Sequence, residues 1–185
     1  MSFLDTVILE FSQLWMIALT IPIFFYGPAN AAVLGALGVG GMAAGRVQLD
    51  RKWVVIPAVF LMIGGSLVLA LVKNAVLIVI AQVVLTIVVI GLGVLLTRLL
   101  HDGLPSRFRA GSASAVSTLS WLLFLPFALI FGALSERQSI FHAAWMVVGL
   151  AVIASGLLLK AFTARHFRPL AAIKEDLPLA ETYAK

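Results

Sequence analysis

Cysteine is absent from this 185-residue chain, which excludes disulfides, thiolate catalysis and cysteine-based metal or redox sites. Charge is nearly as scarce. Asp, Glu, Lys and Arg make up 11% of the residues, against about 25% in an ordinary soluble domain. That deficit leaves too little polar surface for a water-soluble fold. The opening Met1-Ser-Phe-Leu-Asp5 lacks the basic flank of a secretory signal, and no small-residue cleavage site follows the first apolar run. A removable leader is therefore not expected. No Gly-x4-Gly-Lys phosphate loop occurs, which argues against ATP-driven chemistry within the chain. Neither a cofactor nor a metal is expected.

What the chain has instead is apolar length. Hydrophobic residues reach 62% and the mean hydropathy is +1.12. A membrane-spanning helix needs about 20 apolar residues to cross about 30 Å of hydrocarbon. Six windows of that kind occur, at residues 6–27, 28–45, 53–72, 74–97, 111–134 and 140–159. The first two are divided at Tyr26-Gly-Pro28, because proline disfavours the helical conformation in the residue before it. Pro22, Pro57 and Pro126 fall inside windows, where kinks are expected. The expected fold is an all-α membrane protein with a six-helix domain over 1–160. A polar tail over 161–185 follows, containing Lys174-Glu-Asp176, Pro169 and Pro178, and is expected to be largely disordered.

The basic residues are unevenly placed. Arg46, Arg51 and Lys52 follow the second window, Arg98, Arg107 and Arg109 lie between the fourth and fifth, and five more occupy the tail. Only Lys73 and Arg137 stand on the opposite side. Eleven against two predicts cytoplasmic termini in a cell (inner or plasma) membrane. The formal charge of +5 follows from this bias. The basic residues are spread over several loops, so nucleic acid is not an expected partner.

Polar residues inside spans are costly in lipid and tend to face a protein interior or a water-filled cavity. In the first window Thr6, Glu10, Gln13, Thr20 and Phe24 fall within about 80° of one another at 100° per residue. Gln82, Thr86, Gly93 and Thr97 share one face of the fourth. The pattern makes Glu10, Gln13, Thr20, Gln82, Thr86 and Thr97 candidates for lining a substrate cavity, with hydrogen bonding to neighbouring helices or to the backbone as the alternative for the threonines and glutamines. For Glu10, as a proton or cation site or a counter-charge for a cationic substrate, the alternative is that it reaches headgroup water, since it lies about one turn from the cytoplasmic end. Glu10 is the one carboxylate placed inside a span.

The second and fifth windows are rich in small residues. Gly35, Gly38, Gly41 and Gly45 mark the second, with Gly41 and Gly45 forming a GxxxG pair. Gly111-Ser-Ala-Ser-Ala115, then Ser117, Thr118, Ser120 and Trp121, mark the fifth. Small residues permit close backbone approach in lipid, so Gly41, Gly45, Ser114, Ser117, Thr118 and Trp121 are expected at tight or sliding contacts. The endings of the second and fifth windows also match. Gly45-Arg-Val-Gln-Leu-Asp-Arg-Lys52 and Gly132-Ala-Leu-Ser-Glu-Arg-Gln138 each set a glycine four or five residues before an acid and an arginine. Matching punctuation after the middle helix of each set of three predicts two inverted three-helix repeats.

Residues 6 to 160 resemble the C-terminal six-helix half of the major facilitator superfamily of secondary transporters. The likeness is carried by Leu104-Pro-Ser-Arg-Phe-Arg-Ala-Gly-Ser-Ala-Ser114 and Phe131-Gly-Ala-Leu-Ser-Glu-Arg137. The loop around Asp50, Arg51, Arg107 and Arg109 is similar to the family's charged loops, although Gly45 precedes Asp50 by five residues where the family has four. The resemblance implies that the first and fourth helices line a cavity, the second and fifth gate against another half, and the third and sixth face lipid. It also implies that a six-helix partner, either an N-terminal half or a second copy, completes a pathway for a small solute. The alternative is a truncated or stand-alone membrane protein with an assembly role. Enzyme activity is not expected. Ser112 and Ser114 open the fifth window while His142 opens the sixth at the opposite side, about 30 Å away, far beyond the ~3 Å over which a base takes a proton.

Overall fold

Six helices and one short 3-10 turn make up the computed structural model, which describes residues 2–46, 52–103 and 106–163. The helices are α1 (Ser2–Ala18), α2 (Tyr26–Arg46), α3 (Lys52–Leu71), α4 (Ala75–Gly103), α5 (Ser106–Arg137) and α6 (Ile140–Thr163), with the 3-10 turn at Ile23–Phe25. No strand occurs among the described residues. Among the described residues, five stretches are long and apolar enough to cross a membrane: Ile23–Arg46, Val54–Leu71, Ala75–Arg98, Gly111–Arg137 and Ile140–Lys160. The protein is thus an all-helical chain compatible with an integral membrane protein. α1 falls short of the sixth expected span. Its 17 residues include Asp5 and Glu10, and at about 1.5 Å per residue they cover only ~26 Å.

The first window was expected to run to Gly27, but the helix stops at Ala18. Thr20 adopts φ 53°, the left-handed conformation that ends many helices. Its N–H donates to the Ile17 carbonyl at 3.0 Å, and the Ile21 N–H donates to the Met16 carbonyl at 3.1 Å. Those two bonds close a Schellman motif with threonine where glycine is usual. Pro22 follows in the break instead of kinking a helix. Pro28, expected to begin α2, instead lies in its first turn, where a missing N–H costs no helical bond. Pro57 and Pro126 do lie inside α3 and α5. Side-chain caps fix two other starts. Asn74 Oδ1 accepts from the Val76 and Leu77 N–H groups at 3.0 and 3.2 Å, and Ser139 Oγ accepts from the His142 N–H at 3.3 Å.

The helices form two layers. α5, α1, α4 and α2 follow one another in front, each packed on the next, with α3 and α6 paired behind them. The starts of α1 and α3 share one end of the bundle with the ends of α2 and α4. The end of α1 meets the ends of α3 and α5 and the start of α6 at the other. The core contains Trp15, Met62, Leu69, Leu85, Val147 and Phe131, all nearly inaccessible. Phe11 stacks on Phe131 at 4.4 Å and Phe3 meets Phe127 edge-on at 5.2 Å, which fastens α1 to α5. α2 lies close against α4 because Gly40 has no side chain: a Cβ there would come within 2.8 Å of the Ile87 carbonyl oxygen.

Two outcomes test this packing by equilibrium unfolding in mild detergent. Gly40→Ala is expected to destabilise the protein by about 1–3 kcal/mol, since the backbone of α4 cannot yield like a flexible side chain, whereas Gly41→Ala, which meets nothing within 4 Å, stays near neutral. Thr20→Gly is expected to stabilise by about 1 kcal/mol, because it relieves a left-handed conformation that disfavours a β-branched residue.

Candidate functional site

α1 has three environments, set by the helical period. Ile8, Ser12 and Met16 are buried, Phe3 and Phe11 pack toward α5, and Glu10, Gln13 and Ile17 are exposed on the remaining face. Thr6 lies on that same outward face, half-buried. Trp15 orients the helix: its indole N–H donates to the Leu69 carbonyl of α3 at 2.9 Å. Glu10 and Gln13 therefore look away from their own bundle, in the middle of the front layer.

The polar stripe of α4 has a different fate. Gln82 and Thr86 are both 0% exposed, and the Gln82 Nε2 donates to the Ser12 carbonyl at 3.0 Å. Gln82 Oε1 and Thr86 Oγ1 are buried without a hydrogen-bond partner. The stripe thus lies under α1 and is not part of an open wall shared with Gln13. Helical periodicity identifies which residues share a face, and it is silent on which neighbour covers that face. Thr20 has left the helix, and its Oγ1 donates to the Leu19 carbonyl at 2.8 Å.

Lower on the same face of α4, Gly93 and the exposed Thr97 border a groove of about 300 Å³. Asp5 of α1 closes its other side, with Oδ1 buried and unpartnered. The sequence reading placed Glu10 as the one carboxylate inside a span, yet Asp5 is the more enclosed of the two. The overlooked signal is spacing: Asp5 and Ser12 stand seven residues apart, two helical turns, on one face. Asp5, Ser12, Gln82 and Thr86 make the α1–α4 seam polar, and this seam backs the outward face bearing Glu10 and Gln13.

The flanking helices are the least covered in the fold. Six per cent of the α5 span and 17% of the α2 span are buried, against 39% for α3, α4 and α6. Gly35, Gly38, Gly41 and Gly45 meet nothing within 4 Å, so the Gly41–Gly45 pair is not used inside this fold. Every residue from 113 to 119 of α5 is exposed, including Ser114, Ser117 and Thr118. Trp121 is also exposed and meets Phe124 edge-on at 5.6 Å. Asp50, Arg51 and the tail beyond Thr163 lie outside the described residues, and Arg107 and Arg109 fall in the opening turn of α5, where side chains are not described. His142 pairs with Ser139 of its own helix start, Nδ1 to Oγ 2.8 Å.

The two stripes should separate in a labelling experiment, which the lack of native cysteine makes clean. In purified protein, a cysteine at Gln13 is expected to react readily with a hydrophilic maleimide, while one at Thr86 is expected to react at least about tenfold more slowly, since a buried site reacts only when the structure opens locally. Equal rates would contradict the burial of the α4 stripe.

The chain matches no family model, no curated protein and no solved structure, so any role is argued from the arrangement just described.

Proposed function

We propose that the chain is one six-helix half of a secondary transporter of major-facilitator type. In this reading it moves a small solute by alternating access together with a second six-helix unit. The observation that carries the reading is the outward face of α1. Glu10 and Gln13 are exposed there, at the centre of a layer flanked by the two least covered helices. Facing hydrocarbon, unsatisfied polar groups cost several kcal/mol each, and an ionised carboxylate more. Facing a second unit across a hydrated cleft, they cost little and present hydrogen-bonding groups to a solute.

The helix pairings support two related halves. Exchanging α1–α3 for α4–α6 converts the α2–α4 contact into α5–α1 and the α3–α4 contact into α6–α1, and leaves α1–α4 and α3–α6 unchanged; each of these pairings occurs. The α5–α6 and α1–α2 contacts have no equally extensive counterparts, between α2 and α3 and between α4 and α5, among the described residues. The exposed faces also differ in character. α3 and α6 present Ile56, Phe60, Leu61, Ile153 and Leu157, which suit lipid tails. α2 presents Leu34, Val39 and Met42 together with Gly35, Gly38 and Gly45, which have open space around them; such a mix of small and large residues suits another helix. The eleven-to-two distribution of basic residues puts both termini in the cytoplasm on this reading.

A second copy facing the first across a two-fold axis along the membrane normal brings α2 of one opposite α5 of the other. Cysteines placed together at Gly38 and Ser117 are expected to give a disulfide-linked dimer in native membranes, whereas Val152→Cys, on the exposed side of α6, is expected to give none. Saturable solute uptake by a chain shown to remain monomeric would overturn the half-transporter reading.

A further inference from the structure

Because α1 ends at Ala18, it leaves a cavity of about 680 Å³ at that end of the bundle. Leu14 and Ile17 of α1, Leu71 of α3 and Trp145 of α6 form apolar walls, and Lys73 and His142 bring polar groups to it. Among the described residues no carboxylate lines it. The Lys73 ammonium sits 5.7 Å from the centre of the Phe141 ring, a contact that steadies the side chain and leaves its charge free to meet an anion. α6 begins at this cavity, so the positive end of its dipole adds to the Lys73 charge. Leu71 and Trp145 are 62% and 50% exposed, which opens the apolar walls sideways toward the bilayer. Tryptophan at such a position is characteristic of the headgroup level.

We propose that this cavity holds an anionic phospholipid from the leaflet at that end. Lys73 pairs with the headgroup phosphate, the His142–Ser139 pair lies within its polar half, and an acyl chain runs along Leu14, Ile17 and Trp145. A free phosphate ion would satisfy the charge but leave the apolar walls against water. A neutral lipid would cover the walls but leave Lys73 without its counter-charge. An anionic lipid does both, and the argument holds whether or not the chain transports a solute.

The test uses the full chain in detergent, titrated with brominated phosphatidylglycerol or brominated phosphatidylcholine while tryptophan fluorescence is followed. Phosphatidylglycerol is expected to quench at about fivefold lower concentration, the factor that one basic residue's attraction for an anionic lipid supplies. Trp145→Phe is expected to remove the quenched component. Lys73→Gln should bring the two lipids together, Lys73→Arg should keep them apart, and Arg137→Gln, a basic residue at the same end but outside the cavity lining, should change nothing. Equal quenching by the two lipids in the unaltered protein overturns the proposal, as does selectivity that survives Lys73→Gln. Inorganic phosphate at millimolar concentration is expected to leave the quenching unchanged. If it instead competes phosphatidylglycerol away, the site is one for a soluble anion and the lipid assignment fails.

Discussion

The hydrogen bond from the Trp15 indole to the Leu69 carbonyl, 2.9 Å long and fully buried, sets the orientation of α1, and the layering of the fold follows from that orientation. Leu69 lies in the last turn of α3, where helix carbonyls have no partner of their own. One buried donor therefore meets one buried orphan acceptor, each costly if left alone. With Trp15 pointing at α3 and its ring against Phe131 at 6.2 Å, the rest of α1 has no rotational choice. Ile8, Ser12 and Met16 turn inward, Phe3 and Phe11 meet α5, and Glu10 and Gln13 are left facing out.

The four helices in front are held unequally. α1 is fastened by aromatic contacts on the α5 side and by a polar seam on the α4 side. α2 is held against α4 at Gly40, where backbone meets backbone. α5 touches the bundle over its later half, through Phe124, Phe127 and Phe131, while residues 113 to 119 are exposed all round. In hydrocarbon there is no hydrophobic force to push helices together, so association depends on close packing and on satisfied polar groups. A stretch built from serine, alanine and other small residues packs well only on a near neighbour, and residues 113 to 119 of α5 are left exposed by the described residues.

Much of the architecture was legible in composition and punctuation. The windows at 53–72, 74–97 and 140–159 begin within one residue of α3, α4 and α6, because the apolar runs that define them are the runs that fold as helices. The end of α1 was not legible. A left-handed threonine does not announce itself as a glycine would, and Pro28, eight residues later, suggested the wrong boundary. The α4 stripe was legible as a face, Gln82 with Thr86, but its covering by Ser12 is a tertiary fact that no period encodes. Asp5 stands one residue before the window at 6–27 and so fell outside the polar stripe read there, although its spacing from Ser12 places it on the buried side of α1. The charged loop around Asp50 and Arg51 is outside the described residues, so the motif read there stands as a sequence observation.

The departures from ordinary protein chemistry are concentrated in one layer. Thr20 adopts a conformation disfavoured for its type, and Asp5, Gln82 and Thr86 each bury an oxygen without a partner. α5 leaves its small-residue stretch 113 to 119 uncovered. All of these belong to α1, α4 and α5 or to the turn that ends α1. In the back layer, α3 and α6 pair along their length through Met62, Leu69, Ala144, Val147 and Ala151, with Ser155 Oγ the one comparable orphan. Each unpartnered buried oxygen costs about 1–3 kcal/mol, a cost set against the close α2–α4 packing and the aromatic contacts between α1 and α5. Local conflicts of this kind tend to gather where a sequence serves something besides folding. Here they gather around the helix whose polar side faces out, the face on which the proposed half-transporter reading rests.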